Sequence, residues 1–484
     1  MSNTSRSNTS TKEIAKSSFW VTAGFALERV AQLVAQVFLA RILAPEDFGT
    51  WAMVLIVTRL SMEFRDKATA SVLIQRGLQD VGVVNAVYSL TINISVLMFF
   101  LQTLAGIPLA QFFDKPQVFP LTACTALIFL IGAGAGSHGA VLQRKMQFRE
   151  LAIADGLAGV TRFGTILLCA VAGLGVWSFA IAEVAMATVD SICKRWFSRY
   201  PFKYYLFPDP VAVKAVSSYI AQIINVNLAL YLNTNGDNFI IGKLFKADAL
   251  GYYNLAYQLA MLPLFALSKI NQVNFSVLSQ KDNHNKSIYL VKSLEVYAIV
   301  YTLLYGIGYV ISPWLIPFVY GAEWIPAVVL FQIILVYAYA RGFMYILGTA
   351  LNAVDRPGVN AAVNWALVPL SIPGFWLGAK FGGLNGVAIS VALTLGVFGS
   401  LLFFIVTSNT TKWQLQTLVK PVIPPTMAMI AAMAIATNVV TESWHAIVLR
   451  VLITILIYLL TLHLLSQGRS SALLFKLLTK IKNR

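Results

Sequence analysis

The 484-residue chain contains little charge, because Asp, Glu, Lys and Arg make up only 12% of it whereas hydrophobic residues make up 58%. An ordinary soluble domain carries about 25% charged residues and does not bury so large an apolar fraction. Cysteine and histidine are also sparse, with three and four residues scattered far apart. That spacing argues against a disulfide framework and a metal site, and we expect no cofactor.

Catalytic signatures are lacking as well. The sequence contains no strand-bound GxGxxG motif, no P-loop, and no HExxH or DxD pattern. The segments between apolar runs are no longer than about 20 residues, which is the length of one membrane span and too short for a folded catalytic domain. We therefore predict that the protein is not an enzyme.

What the sequence has instead is a series of long apolar runs bounded by charge, glycine and proline. A helix needs about 20 apolar residues to cross a ~30 Å hydrocarbon core. We therefore predict an all-α polytopic membrane protein with about fourteen transmembrane helices. The predicted spans lie near Ser18–Ala40, Phe48–Glu63, Val83–Leu104, Phe119–Gly136, Leu151–Leu174, Val176–Lys194, Val216–Asp237, Leu250–Val277, Ser287–Ile311, Ile325–Ile346, Val359–Leu377, Leu384–Val406, Val422–Val440 and Ile447–Leu465.

The basic residues indicate the orientation of these spans, because Lys and Arg favour cytoplasmic loops. With the N-terminus inside, about 24 of the 36 Lys and Arg residues fall on the inner side and about 6 outside. We therefore predict that both termini are cytoplasmic. The net charge of +16 is then explained by orientation and by contact with anionic lipid headgroups, so no nucleic acid partner is expected.

An internal repeat indicates how the spans are grouped. Arg41–Ala52 (RILAPEDFGTWA) aligns with Lys243–Asn254 (KLFKADALGYYN), and Ser71–Arg76 (SVLIQR) aligns in the same order with Ser276–Lys281 (SVLSQK). Six predicted spans separate the equivalent points, and an even number returns the chain to the same side, so we predict two parallel-repeat lobes. The predicted domains are a cytoplasmic N-terminal segment 1–17, a six-helix lobe 18–196, a cytoplasmic linker 197–215, a second six-helix lobe 216–407, two further helices in 408–466 and a basic tail 467–484.

Three arginines are predicted to lie deep inside the membrane. Arg29, Arg59 and Arg162 stand ~16–18 Å from the start of their spans at ~1.5 Å per residue, which is near the midplane. Charged residues there are costly and usually face a cavity or a partner. One interpretation is that these charges neutralise acids on neighbouring helices. The other is a basic cavity in which guanidinium groups bind the phosphate of a hydrophilic, anionic cargo.

Seven motifs, taken in order, resemble those of a known transporter family. They are LARILAPEDFGTWA from Leu39, ASVLIQR from Ala70, QRKMQFRELA from Gln143, GLGVWSFAIAE from Gly173, DNFIIGKLF from Asp237, GYYNLAYQLAMLP from Gly251 and NAVDRP from Asn352. The set resembles the polysaccharide exporters of the multidrug/oligosaccharidyl-lipid/polysaccharide (MOP) flippase superfamily, in the colanic-acid-exporter-like, lipopolysaccharide-biosynthesis branch. The resemblance implies a flippase of the bacterial cytoplasmic (inner) membrane that moves a polyprenyl-pyrophosphate-linked oligosaccharide outwards by alternating access, for surface polysaccharide biosynthesis.

The resemblance implies that arginines on the first two helices, here Arg29 and Arg59, contact the pyrophosphate, and we add Arg162 and Arg341 as substrate-binding candidates. The amides expected to face the sugar hydroxyls are Gln32, Gln36, Gln222, Asn225 and Asn233. The carboxylates that are candidates for coupling transport to protons or sodium are Asp155, Glu183 and Asp237. The expected partners are the lipid-linked oligosaccharide and membrane lipids, and a polysaccharide polymerase is a candidate partner.

Three alternatives remain open at this point. A cation-coupled drug antiporter of the same superfamily would require an acidic or apolar cavity, against which the central arginines count. A membrane polysaccharide polymerase or ligase would require an extended outer loop, and the longest predicted ones, around Pro108–Gln117 and Ser312–Trp324, are short. A structural scaffold would not explain three arginines near the midplane.

Overall fold

The computed structural model describes residues 34–62, 73, 78–280, 282–436 and 444–473, and every regular element in these ranges is helical, as predicted. The first described helical residues, 34–42, are called α1. The further α-helices are α2 Pro45–Met62, α3 Val81–Phe112, α4 Val118–Ile131, α5 Ala135–Arg144, α6 Phe148–Val171, α7 Trp177–Ser198, α8 Pro210–Leu244, α9 Ala247–Gln280, α10 Asn283–Tyr320, α11 Ala327–Ala353, α12 Pro357–Val391, α13 Gly399–Thr411, α14 Leu415–Val419, α15 Ile423–Ala436 and α16 Trp444–Leu465. Most of the first predicted span and the predicted tail beyond residue 473 lie outside the described residues.

Several helices are long and apolar enough to cross a membrane. In the described part of the chain they are Val81–Phe112, Phe148–Val171, His284–Tyr320, Ala327–Ala353, Pro357–Thr411 and His445–Leu465. A seventh candidate is the pair α4 and α5, which are bent by 47° at their junction. The predicted multi-pass membrane protein is therefore confirmed, whereas the count of fourteen spans stays a prediction.

The longest apolar segment contains a reversal. Pro357–Thr411 runs for 55 residues, which would extend ~80 Å as one straight helix, far more than the ~30 Å hydrocarbon core. The chain turns at Gly383, whose φ of +59° lies in the left-handed region that favours glycine. A Cβ at Gly378 would overlap the carbonyl group of Gly386, so the two arms touch. This turn separates the two spans that the sequence predicts there.

The proposed sequence repeat corresponds to a repeated local structure. α1 and α2 are separated by a two-residue break, and so are α8 and α9. Gly49 is the fifth residue of α2, and Gly251 is the fifth residue of α9. Both helices carry aspartate in their first turn, Asp47 and Asp248, where the N-terminal end of the helix dipole favours negative charge. The aligned segments therefore occupy equivalent positions in their helix pairs.

The chain divides into two compact units, Met1–Tyr231 (unit 1) and Leu232–Arg484 (unit 2). In unit 1, the buried Gln102 of α3 donates to Thr58 of α2 at 3.2 Å and to Thr125 of α4 at 3.0 Å. Such interhelical hydrogen bonds fasten helices together in a bilayer, where lipid tails offer no polar partner. In unit 2, Met429 of α15 packs against Gly306 of α10, where a Cβ would overlap its sulfur.

The predicted inter-lobe linker is fixed along one helix of unit 1. Its backbone amides at Lys203 and Tyr205 donate to Asn85 and Ser89 of α3 at 3.0 and 2.9 Å. One turn further, Asn93 donates to the carbonyl of Leu206 at 2.9 Å and accepts from Tyr204. These three polar residues recur every fourth position, so they form one stripe on α3. We call residues 199–207 the strap.

Candidate functional site

The residues predicted to bind substrate in the first two helices are only partly within the described structure. Arg29 and Gln32 lie outside the described residues. Gln36 is buried on α1, and its Nε2 has no hydrogen-bond partner among the residues that are described. Arg59 lies exposed in the last turn of α2.

Arg162 of α6 forms an ion pair with Glu183 of α7. Its Nη2 lies 2.7 Å and its Nε 2.8 Å from the same carboxylate oxygen, Oε1. Glu183 is 9% exposed, whereas the side chain of Arg162 is 25% exposed, so the pair is only partly removed from solvent. Arg162 is thus neutralised by an acid of a neighbouring helix, which is one of the two interpretations that the sequence left open. The acid is Glu183 and not Asp155, which lies on the same helix as Arg162. A substrate phosphate at Arg162 would compete with Glu183.

Asp155 belongs to a second charged cluster of unit 1. Lys194 of α7 lies 3.2 Å from Asp155 of α6 and 2.7 Å from Asp190 of α7. The lysine therefore bridges two helices. Its one positive charge faces two carboxylates, so the cluster keeps a net negative charge while Asp155 is held in an ion pair.

The three amides predicted on α8 have different environments. Gln222 is in the helix, but its side chain is outside the described part of the structure. Asn225 is exposed. Asn233 is buried, donates to the carbonyl of Asn364 at 2.8 Å and accepts from Ser371 at 3.4 Å. Asn233 is thus occupied in fastening α8 to α12.

Asp237 lies one turn further along α8 and is only 1% exposed. One carboxylate oxygen accepts from the hydroxyl of Tyr253 at 2.5 Å, and the other accepts from the backbone amide of Asn238 at 2.8 Å. Burial of a carboxylate is expensive unless it is hydrogen-bonded or paired. Tyr253 on α9 supplies that compensation through a neutral hydroxyl rather than through an ion pair.

Arg341 of α11 is held by tyrosines. Its Nε donates to the Tyr345 hydroxyl at 3.2 Å, and its Nη1 donates to the Tyr337 hydroxyl. The guanidinium carbon lies 5.5 Å from the Tyr337 ring centroid and 5.3 Å from that of Tyr345, within cation–π range. Among the described residues no carboxylate lies within ion-pairing distance of Arg341, whereas Asp237 is within electrostatic range.

The two charged groups of unit 2 are linked by aromatic residues that the sequence interpretation did not select. The Tyr257 ring centroid lies 6.1 Å from that of Tyr253, which binds Asp237, and 6.1 Å from that of Tyr337, which binds Arg341. We call Asp237, Tyr253, Tyr257, Tyr337, Arg341 and Tyr345 the tyrosine cluster. Its signal was present in the sequence, since Tyr253 and Tyr257 are four residues apart, as are Tyr337, Arg341 and Tyr345.

The tyrosine cluster combines a guanidinium group, hydroxyl groups and a buried carboxylate. A guanidinium group held by neutral partners can donate hydrogen bonds to a phosphate oxygen without first losing a carboxylate. Tyrosine rings and hydroxyls offer both flat apolar faces and hydrogen-bonding groups, as sugar rings require. The buried carboxylate can hold a proton or a cation. No group of His, Cys, Asp and Glu suited to a metal occurs in the described ranges.

The fold resembles that of solved membrane transporters. The lipid II flippase MurJ, in an inward closed conformation, superposes with a TM-score of 0.72 at 15% identity over 92% of this chain and 98% of MurJ. An inward-facing multidrug resistance MATE family transporter of the MOP superfamily superposes with a TM-score of 0.62 at 14% identity, over 81% of this chain and 96% of that one. At these identities the likeness establishes the fold.

The sequence is similar to those of polysaccharide biosynthesis proteins. The lipopolysaccharide biosynthesis protein WzxC of Escherichia coli (strain K12) is 23% identical over 381 residues, which are 77% of this chain and 76% of WzxC. The sequence profile of a family described as polysaccharide biosynthesis proteins matches residues 38–329, more than half of the chain. The predicted resemblance to MOP-superfamily polysaccharide exporters is thus confirmed, and the chain belongs to the polysaccharide biosynthesis protein family.

Proposed function

We propose that the protein is a flippase that translocates a polyprenyl-pyrophosphate-linked oligosaccharide across the cytoplasmic membrane by alternating access. The observation that carries this proposal is membership of the polysaccharide biosynthesis family together with a fold shared with a lipid II flippase over 92% of the chain. Unaided transfer of a glycan through hydrocarbon is prohibitive because its hydroxyls lose their water partners. Polar side chains within the helices would replace those partners.

The proposal includes a topology. Fourteen helices would form two parallel six-helix lobes and two additional C-terminal helices, with both termini in the cytoplasm. The equivalent breaks before α2 and α9 support the duplication, and the turn at Gly383 supports two spans in Pro357–Thr411. The excess of basic residues in the predicted inner loops supports the orientation.

Arg341 is, within the described residues, the best supported contact for the substrate's phosphates. Its hydrogen-bond partners are neutral hydroxyls, so a phosphate does not have to displace a carboxylate. Arg29, Arg59 and Arg162 are proposed as further phosphate contacts, and at Arg162 the substrate would exchange with Glu183. Gln36, with a buried and unpartnered Nε2 in the described structure, is proposed to donate to a sugar hydroxyl.

Asp237 is proposed as the carboxylate that couples transport to protons or sodium. It is buried and hydrogen-bonded by a neutral tyrosine, whereas Asp155 and Glu183 face cationic side chains. A single buried carboxylate can change its protonation when its surroundings open to water. A polysaccharide polymerase remains the proposed consumer of the translocated product.

Depletion of the protein in its host tests the function. We expect lipid-linked oligosaccharide to accumulate on the cytoplasmic side of the membrane, with loss of surface polysaccharide. Accumulation on the outer side would contradict a flippase and favour a polymerase or ligase. Unchanged surface polysaccharide together with a gain in drug sensitivity would favour the cation-coupled drug antiporter.

The arginine assignment is tested separately. Arg29, Arg59, Arg162 and Arg341 are each replaced by Ala and by Lys, and surface polysaccharide is measured at equal membrane expression. We expect loss of export for the Ala variants and at most partial rescue by Lys, which lacks the planar fork of donors. Normal export by all eight variants would refute the phosphate contacts without refuting transport.

A further inference from the structure

Unit 2 contains a cavity of about 330 Å³ whose lining includes none of the proposed substrate contacts. It lies between the second half of α9 and the first half of α10, and Ile346 of α11 contributes to its wall. Small-molecule sites in proteins have volumes of about 300–1,000 Å³, so the cavity is large enough for one extended chain. It is separate from the tyrosine cluster, since no member of that cluster lines it.

Away from one end, the wall of the cavity is apolar. Leu267 and Ile270 of α9 line it together with Val296 and Val300 of α10. Ile270 and Val300 are 50% and 37% exposed, so the cavity is open on their side. In a membrane-spanning segment an open apolar surface is solvated by lipid hydrocarbon, because no water is present there.

The aromatic side chains in the wall have their hydroxyls engaged elsewhere. Tyr297 donates to the carbonyl of Tyr339 at 2.7 Å, and Tyr301 donates to the carbonyl of Pro263 at 3.0 Å. A Cβ at Gly342 would overlap the Tyr297 ring, so this glycine leaves the space that the ring occupies. The rings therefore present their apolar faces to the cavity in a fixed position.

One end of the cavity is polar and basic. Lys292 lines it, and no carboxylate of the described chain forms an ion pair with this lysine. Beside it, Tyr289 donates to Asn274 at 2.9 Å, and Asn274 donates to Asn271 at 3.1 Å. All four residues lie toward the end of the α9–α10 pair where the two helices are joined, so the charge is at one mouth and the apolar wall extends away from it.

The dimensions correspond to one leaflet of a bilayer. From Tyr289 to Tyr301 the lining extends along α10 for ~18 Å at ~1.5 Å per residue. Half of a ~30 Å hydrocarbon core is ~15 Å. A chain that enters at the basic mouth would thus reach about the middle of the membrane.

We propose that this cavity binds an anionic phospholipid of the bilayer, with one acyl chain along Val296 and Val300 and its phosphate at Lys292. The apolar length of the cavity accounts for the acyl chain. Lys292, which has no carboxylate partner among the described residues, accounts for the anionic headgroup. A zwitterionic lipid would make the same apolar contact, but its headgroup would be attracted less strongly to the positive charge of Lys292. The site is distinct from the proposed cargo contacts and does not depend on the transport proposal.

Native mass spectrometry of the full-length protein in detergent tests the site, with phosphatidylglycerol and phosphatidylcholine as probes. We expect the wild type to retain phosphatidylglycerol preferentially. Val296→Phe fills the cavity and should weaken binding of both lipids about tenfold. Lys292→Gln should abolish the preference for phosphatidylglycerol while phosphatidylcholine binding persists. The matched controls are Val329→Phe and Lys380→Gln, which change exposed residues of the same unit outside the cavity and should bind as the wild type does.

Three outcomes would overturn the proposal. One is an unchanged lipid preference in Lys292→Gln, and another is unchanged binding in a folded Val296→Phe protein. If Val296→Phe does not fold, Val300→Phe at the open side tests the same point, because a half-exposed position tolerates the larger ring. The third is retention of an added polyprenyl phosphate that phosphatidylglycerol does not displace, which would identify the occupant as a cargo-type lipid.

Discussion

The two compact units compensate their charged residues in different ways. In unit 1, Arg162 lies against a carboxylate of the neighbouring helix, and Lys194 lies against two. In unit 2, tyrosine hydroxyls hold both Arg341 and Asp237. A carboxylate cancels the positive charge of its partner, whereas a hydroxyl satisfies the donors and leaves the charge in place. The number of basic residues in a lobe is therefore a poor measure of its affinity for an anion.

The same difference bears on which arginine can bind the substrate's phosphates. The three arginines predicted near the midplane, Arg29, Arg59 and Arg162, all belong to the first predicted lobe. Within the described residues of that lobe, however, Arg162 has already found a counterion. Binding a phosphate there requires breaking a charged pair, which costs a large part of what the new contact supplies. Arg341 requires no such exchange.

The largest expected effect is at Arg341. Arg341→Lys should reduce export about tenfold or more, because lysine lacks the planar fork of donors that is proposed to bind the phosphate, and each hydrogen bond to a charged group is worth about 1.5–3 kcal/mol. The measurement is surface polysaccharide at matched membrane expression. Arg469→Lys, an exposed position of the same unit, serves as control. Full export by Arg341→Lys would contradict the proposal that Arg341 binds the substrate's phosphates.

Glu183→Gln tests the pairing in unit 1. It leaves the Arg162 guanidinium without its countercharge, so the free energy of unfolding should fall by about 1–3 kcal/mol. Thermal unfolding in detergent measures the loss. The double variant Arg162→Gln, Glu183→Gln should recover part of it, because neither charge is then left unpaired. An unaltered melting temperature in the single variant would show that the pair contributes nothing to stability.

Tyr253→Phe tests how the buried carboxylate of unit 2 is compensated. It removes the hydroxyl that donates to Asp237 and should lower the free energy of unfolding by about 1–2 kcal/mol. Tyr252→Phe is the matched control, since its ring packs against Trp324 at 5.9 Å outside the tyrosine cluster. Equal melting temperatures for the two variants would contradict a stabilising role for the Tyr253 hydroxyl.

The smallest effect is expected at the strap. Ser89→Ala removes the acceptor for the Tyr205 amide and should cost about 0.5–1.5 kcal/mol of local stability. Trypsin should then cleave after Arg199 or Lys203 a few times faster than in the wild type, as followed by gel electrophoresis. Thr91→Ala is the control, because its hydroxyl bonds only within α3, to Val87. Identical digestion rates would mean that Ser89 does not hold the strap.

Much of the fold could be predicted from the sequence. The all-helical architecture and the multi-pass membrane character followed from apolar runs too long and too poorly charged for any soluble fold. The two arms on either side of Gly383 were also predicted, because glycines and a lysine interrupt the apolar run there. The superfamily followed from ordered motifs. These features depend on residues close together in the chain, which is why the sequence contains them.

The order of the amino acids is enough to show that the chain crosses a membrane, which residues within its helices are charged, and which superfamily it resembles. Which charges meet depends on how the helices pack: Arg162 lies against Glu183 rather than Asp155, and Arg341 lies against tyrosines rather than an acid. Helical spacing defines a face within one helix, whereas a countercharge comes from another helix. Its distance depends on packing, which no periodicity in one segment records.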